Sequence, residues 1–140
     1  MMRVTRVVYD QMVAHALEER PFEACGVLAG SGGIVTQAHR ARNAAELSGV
    51  RYEIDGREFV GINNAIDDDD LELIGIYHSH PFTRAYPSAT DLAQAWEGLV
   101  YAIVSLRDFL RPEVRAFTVA DGAVSEVVVE IVEAPAASSA

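Results

Sequence analysis

The alternation of apolar and polar positions divides the chain into short segments that favour a sheet with a few helices. Residues 3–8 read as a strand, and residues 9–20 as a helix in which Tyr9, Met12, Val13, Ala16 and Leu17 form an apolar stripe at helical spacing. Pro21 ends that helix, because the residue before a proline is pushed out of the helical region. Residues 23–29 and 34–38 read as strands joined by the turn Gly30-Ser31-Gly32-Gly33, which makes a hairpin. Residues 40–50 are polar and irregular, and a short strand covers 52–54. Asp55 with Glu58 three positions later predicts a capping box that opens a helix running to Ile66.

Further along, residues 71–78 read as a strand and 81–87 as a loop, followed by a helix over 89–96 that Gly98 closes. Residues 99–105 are almost wholly apolar, as expected of a central strand covered on both faces. Asp121-Gly122 is the strongest hairpin signal and separates strands over 112–120 and 123–132. Residues 133–140 are rich in Ala and Ser, so a domain over 1–133 with a flexible tail over 134–140 is expected. No internal repeat is visible, and helices and strands mix without strict alternation. The expected class is α/β with α+β character: a single domain whose mixed, largely antiparallel sheet is flanked by helices.

Composition narrows the function classes. A chain of 140 residues, half of them apolar, can bury a core without disulfides. The net charge of −10 argues against a nucleic-acid partner, which would call for a clustered basic face. No run approaches the roughly 20 apolar residues of a membrane span, and the first residues lack the apolar stretch of a secretory signal. A cytoplasmic protein with no membrane partner is expected. All eleven basic residues are arginine, which codon bias accounts for. The lone Cys25 cannot form an internal bridge, so any zinc site must be built from histidine and carboxylate.

Candidate chemistry gathers around residues 78–91. A side-chain period of two puts Ile74, Ile76, His78 and His80 on one strand face, where two imidazoles at a strand end can grip one ion. Asp91, eleven residues beyond His80, can supply a third ligand from the first turn of the next helix. Two histidines and a carboxylate suit zinc and leave a fourth tetrahedral position open, the mark of a catalytic site. The plainer alternatives stand beside this: a His-x-His pair can simply hydrogen-bond at a strand end, and Ser88 with Asp91 also spells a capping box. Spacing alone does not separate them. Cys25 shares a strand face with Glu23, as a redox-sensitive thiol or as a small buried apolar residue. His15 and His39 lack partners at ligand spacing and read as surface or structural, and Asp67 to Asp70 as a solvated loop.

Glu23-Ala24-Cys25-Gly26, His78-Ser79-His80-Pro81 and Pro87-Ser88-Ala89-Thr90-Asp91 together resemble the JAMM (MPN+) zinc metalloproteases. The defining pattern is complete: a distant Glu, His-x-His, seven residues, Ser, two residues, Asp. Ala24 to Gly30, Tyr77 to His80 and Ala85 to Ser88 are similar to the short bacterial branch of sulfur-carrier-protein cysteine hydrolases, with Pro81-Phe82 a departure. The resemblance implies a JAMM/MPN, cytidine-deaminase-like fold, one Zn2+ held by His78, His80 and Asp91, Glu23 as general base, and Ser88 as donor to the oxyanion. It also implies a ubiquitin-like sulfur-carrier partner, cleaved after its C-terminal Gly-Gly to release cysteine or another amino acid. Residues 40–50 and 82–87 are the expected groove walls. An isopeptidase acting on lysine-linked modifiers, a RadC-like DNA-associated protein, a non-catalytic MPN scaffold and a homodimer stay open. The His-x-Glu and Pro-Cys-x-x-Cys pattern of zinc deaminases is absent.

Overall fold

A computed structural model describes residues 1–133. The tail expected over 134–140 therefore lies outside the described residues. Eight strands and three helices follow one another as β1 (Met2–Thr5), α1 (Arg6–Glu19), β2 (Cys25–Ser31), β3 (Ile34–Ala41), α2 (Gly56–Asp68), β4 (Glu72–His80), α3 (Ala89–Gln94), β5 (Val100–Ser105), β6 (Glu113–Ala120), β7 (Ala123–Val127) and β8 (Val129–Val132). They form one mixed sheet in the order β7-β6-β5-β4-β2-β3-β1-β8. Pairing is parallel at β1–β3, β1–β8 and β4–β5, and antiparallel elsewhere. The expected mixed sheet flanked by helices is present.

Alternation along β2 explains the two cores. Leu28 points to the side where Val8, Met12 and Ala16 of α1 pack with Tyr77, Ala102 and Val104. Its neighbours Val27 and Ala29 point to the other side, where Ile66, Phe59 and Ile62 of α2 meet Ile76 and Tyr101. A sheet covered on both faces needs apolar strands, and β5 is buried from Tyr101 to Ser105.

Several local expectations are corrected. The first strand stops at Thr5, because the Thr5 hydroxyl caps α1 by accepting from the Val8 N–H at 3.3 Å, so the helix begins at Arg6. Its buried face uses Val8 and His15, while Leu17 is exposed. Asp55 does cap α2, but the Glu58 side chain accepts from the Arg42 N–H at 3.0 Å instead of closing a box. The segment expected as a strand over 52–54 is only a bridge between Asn43 and Ile54. Alternation fails at Ile74: a register shift opposite Leu28/Ala29 turns Ile74 toward the α1 core, and the shared face holds from Ile76 onward. The strand expected over 123–132 breaks at the exposed Val128. Its second half, β8, crosses to the far edge and pairs with β1. Asp121 (φ 52°) and Gly122 (φ 74°) both take the left-handed conformation a two-residue hairpin needs.

Candidate metal centre

The site lies where β2 begins and β4 ends. Residues directly opposite in an antiparallel ladder share a face, and Cys25 is opposite His78, which puts Glu23, His78 and His80 on the α2 side. Glu23 stands just ahead of β2 and is 4 % exposed; His78 is 0 % and His80 4 % exposed. Asp91 arrives from the first turn of α3. That turn is fixed by a reciprocal capping box: the Asp91 N–H donates to Ser88 Oγ at 3.1 Å, and the Ser88 N–H donates to Asp91 Oδ2 at 2.9 Å. The structural and ligand readings of Ser88-x-x-Asp91 are thus compatible in one geometry.

Three donor atoms converge there. His78 Nε2 and His80 Nε2 are 3.1 Å apart, and each is 3.1 Å from Asp91 Oδ2. The ligands of a tetrahedral ion at about 2.0–2.1 Å are themselves spaced by about 3.3 Å, so the donor set fits a small divalent metal. Protonation supports the same reading. His80 Nδ1 lies 2.9 Å from the Arg84 carbonyl oxygen, which only accepts, so Nδ1 carries a proton and Nε2 is the nitrogen left to face an ion. Two imidazole nitrogens and a carboxylate oxygen drawn to one point form a donor set that suits a cation.

Electrostatics around the cluster are uneven. Burial opposes charge on Asp91, but the bonds to His78 and His80 win and hold its carboxyl well below the usual range. Burial likewise opposes charge on His80, yet its bonds to Asp91 and the Arg84 carbonyl raise its pKa. At His78 burial prevails and the pKa falls. Glu23 is pushed up to about 7, chiefly by burial, with His80 opposing and Asp91 reinforcing. Its Oε1 and His78 Nδ1 are buried without a hydrogen-bond partner among the described residues. A ligand atom from each of Glu23, His78 and His80 lies within 4.8 Å of the others. Glu23 therefore stands beside the two histidines, close enough to face the same ion or a group bound to it.

Two neighbours were not singled out by their sequence context. The Ser79 hydroxyl accepts the Ala24 N–H at 2.8 Å while the Ser79 N–H donates to the Ala24 carbonyl at 3.0 Å, clamping the strand end that carries Glu23 to the strand that carries both histidines. The Tyr52 ring stacks on His78 at 4.4 Å between centroids and 24° between planes. Tyr52 also walls an apolar groove of ≈ 450 Å³ with Phe59, Ile76, Trp96, Leu99 and Tyr101. That groove is distinct from the walls expected at 40–50 and 82–87. Of the expected walls, Arg40, Arg42, Asn43 and Ser48 line a second, polar cavity of ≈ 500 Å³ together with Glu23. Cys25 is fully buried and its thiol is pushed up to about 12 by burial, which suits a packing residue and removes the thiolate a redox switch needs. His15 is buried and bonds the Tyr77 hydroxyl at 2.7 Å; His39 bonds Gln37 at 2.8 Å.

Residues 5–120 match the family model described as prokaryotic homologues of the JAB domain. The chain is 44 % identical over 126 residues to the CysO-cysteine peptidase of Mycobacterium tuberculosis, covering 89 % of this chain and 86 % of that one. It is also 44 % identical over 103 residues to the Desampylase of Haloferax volcanii, covering 69 % and 74 %. A Desulfitobacterium hafniense protein solved in solution superposes with a TM-score of 0.87 at 30 % identity, covering 96 % and 94 %. No helix among the described residues is long and apolar enough to cross a membrane.

Proposed function

The chain belongs to the prokaryotic homologues of the JAB domain, and from that premise we propose that it is a zinc peptidase that hydrolyses the amide bond after the C-terminal Gly-Gly of a ubiquitin-like sulfur-carrier protein. The observation that carries the reading is the convergence of His78 Nε2, His80 Nε2 and Asp91 Oδ2 at 3.1 Å, beside the buried, unpaired Glu23 carboxylate. The name of the mycobacterial relative, a CysO-cysteine peptidase, supports the substrate class and cysteine as the released amino acid.

His78, His80 and Asp91 would hold the ion; one imidazole–imidazole–carboxylate set favours zinc over magnesium or calcium, which take oxygen ligands. Bound there, zinc supplies Lewis-acid polarisation of a carbonyl and acidifies water. Glu23, poised at about 7, takes a proton from the attacking water and returns it to the leaving amine. Ser88 Oγ accepts from the Asp91 N–H, which leaves its own O–H to donate to the developing oxyanion. Glycines at the cleaved end of the substrate allow its backbone to approach the buried site without side chains in the way.

The test is incubation of the zinc-loaded protein with each ubiquitin-like carrier of its own genome extended by a C-terminal cysteine, read by mass spectrometry. Loss of one cysteine mass from a carrier is the expected result; intact cysteine-extended carriers beside cleavage of a lysine-linked conjugate of the same carrier, offered in parallel, would reassign the leaving group. Intact carriers throughout would sink the proposal.

A further inference from the structure

We propose that Tyr52 is a positioning residue for the metal ligand His78, holding by stacking an imidazole whose far nitrogen, Nδ1, finds no hydrogen bond among the described residues. The inference rests on the reading of His78, His80 and Asp91 as the ligand set. The two histidines are supported differently. His80 is fixed at its far nitrogen, where Nδ1–H donates to the Arg84 carbonyl at 2.9 Å, the usual device for aiming a ligating ring. His78 has no such tether: Nδ1 is buried and finds no partner among the described residues. What sets the plane of its ring is the Tyr52 ring, nearly parallel at 24° and 4.4 Å away, while His80 meets it edge-on at 62°.

A platform orients a ligand only if it is itself held. Tyr52 sits between two hydrogen bonds to one side chain: Asn43 Nδ2 donates to the Arg51 carbonyl at 3.0 Å, and Asn43 Oδ1 accepts the Glu53 N–H at 3.1 Å. The Ala44 N–H adds a bond to the Glu53 carbonyl at 2.8 Å. The segment after β3 thus serves as a rigid backing for His78, in place of a hydrogen-bond acceptor.

The experiment is zinc affinity, measured by competition with a chromophoric chelator on the full chain, alongside thermal unfolding. Tyr52→Phe keeps the ring and should bind zinc as wild type does. Tyr52→Leu removes the ring and should weaken zinc about 10–100-fold, the range for losing a group that orients a ligand. Phe59→Leu alters the same groove without touching His78 and should leave affinity unchanged. If Tyr52→Leu does not fold, Tyr52→Met is measured on the same scale. Folded Leu or Met variants that bind zinc as tightly as wild type would overturn the proposal. So would an equal loss in Phe59→Leu, or a tenfold loss in Tyr52→Phe. A wild-type protein that binds no zinc would instead overturn the metal reading beneath it.

Discussion

The last residues of β4 carry two polar pairs back to back, and the two faces treat them in opposite ways. On the α1 side, Tyr77 and Ser79 are buried and fully matched: the Tyr77 hydroxyl meets His15 Nδ1 at 2.7 Å, and the Ser79 hydroxyl takes the Ala24 N–H at 2.8 Å. On the α2 side, His78 and His80 are as deeply buried, yet both crowd one Asp91 oxygen, and His78 Nδ1 and Glu23 Oε1 have no partner among the described residues. Buried polar groups are costly unless bonded. A face that satisfies them is built for stability; a face that leaves them unsatisfied is kept for a ligand and a reaction. In the proposed function, the difference separates the structural His15 from the metal-binding His78 and His80, where residue type alone does not.

Substitutions on the two faces should therefore fail differently. The largest effect is expected from Glu23→Gln, which removes the proton acceptor while leaving the ligand set: carrier hydrolysis should drop by on the order of 10²–10⁴ with zinc content unchanged. Full activity in that variant would remove Glu23 as base. Ser88→Ala should lower kcat by about 10²–10³ with little change in KM, since the oxyanion contact exists only as charge develops. A loss of folded protein without a selective kcat defect would reduce Ser88 to a helix cap.

Across the sheet, Ser79→Ala should leave zinc in place but destabilise the fold by about 1–3 kcal/mol, because the Ala24 N–H loses its acceptor in a buried setting. Ser79→Thr, which keeps the hydroxyl, should recover most of that in a urea titration. An unchanged midpoint for Ser79→Ala would show that the strand ends close on each other without the clamp.

The smallest effect concerns His15. Burial, helped by Arg40, lowers its pKa below the 6.5 of an unperturbed histidine. Above that pH the ring is neutral both folded and unfolded. Below it the unfolded chain binds a proton that the folded chain refuses, so stability is lost as pH falls, by up to about 1.4 kcal/mol per pH unit. His15→Gln lacks this term, so its urea midpoint should fall less than that of wild type between pH 7 and pH 5. Parallel curves would place the His15 proton elsewhere.

How far the fold and site could be read in advance follows from how local each feature is. The convergence of His78, His80 and Asp91 beside Ser88 was legible because they lie within one strand, loop and helix start, and the β6–β7 hairpin because Asp121-Gly122 demands left-handed backbone. The crossing of β8 to the β1 edge was not, since parallel pairing of distant segments leaves no local pattern and the valine-rich residues 123–132, with no Gly or Pro among them, read as one strand. Tyr52 was hidden for a related reason. An aromatic in the short alternating run Tyr52-Glu53-Ile54 reads as sheet, and only the Asn43 bonds around it reveal a platform. Gly26 carried its own signal: a Cβ there would sit 2.3 Å from the Tyr77 ring, so the glycine lets Tyr77 cross β2 to reach His15.

The contrast between the two faces is tested most directly by zinc content of the purified, folded chain, measured by elemental analysis in wild type, Asp91→Ala and His15→Gln. Wild type and His15→Gln should hold about one zinc per chain, and Asp91→Ala, stripped of the carboxylate that joins both imidazoles, should hold nearly none. Zinc retained in Asp91→Ala at the wild-type level, or lost equally in His15→Gln, would contradict it.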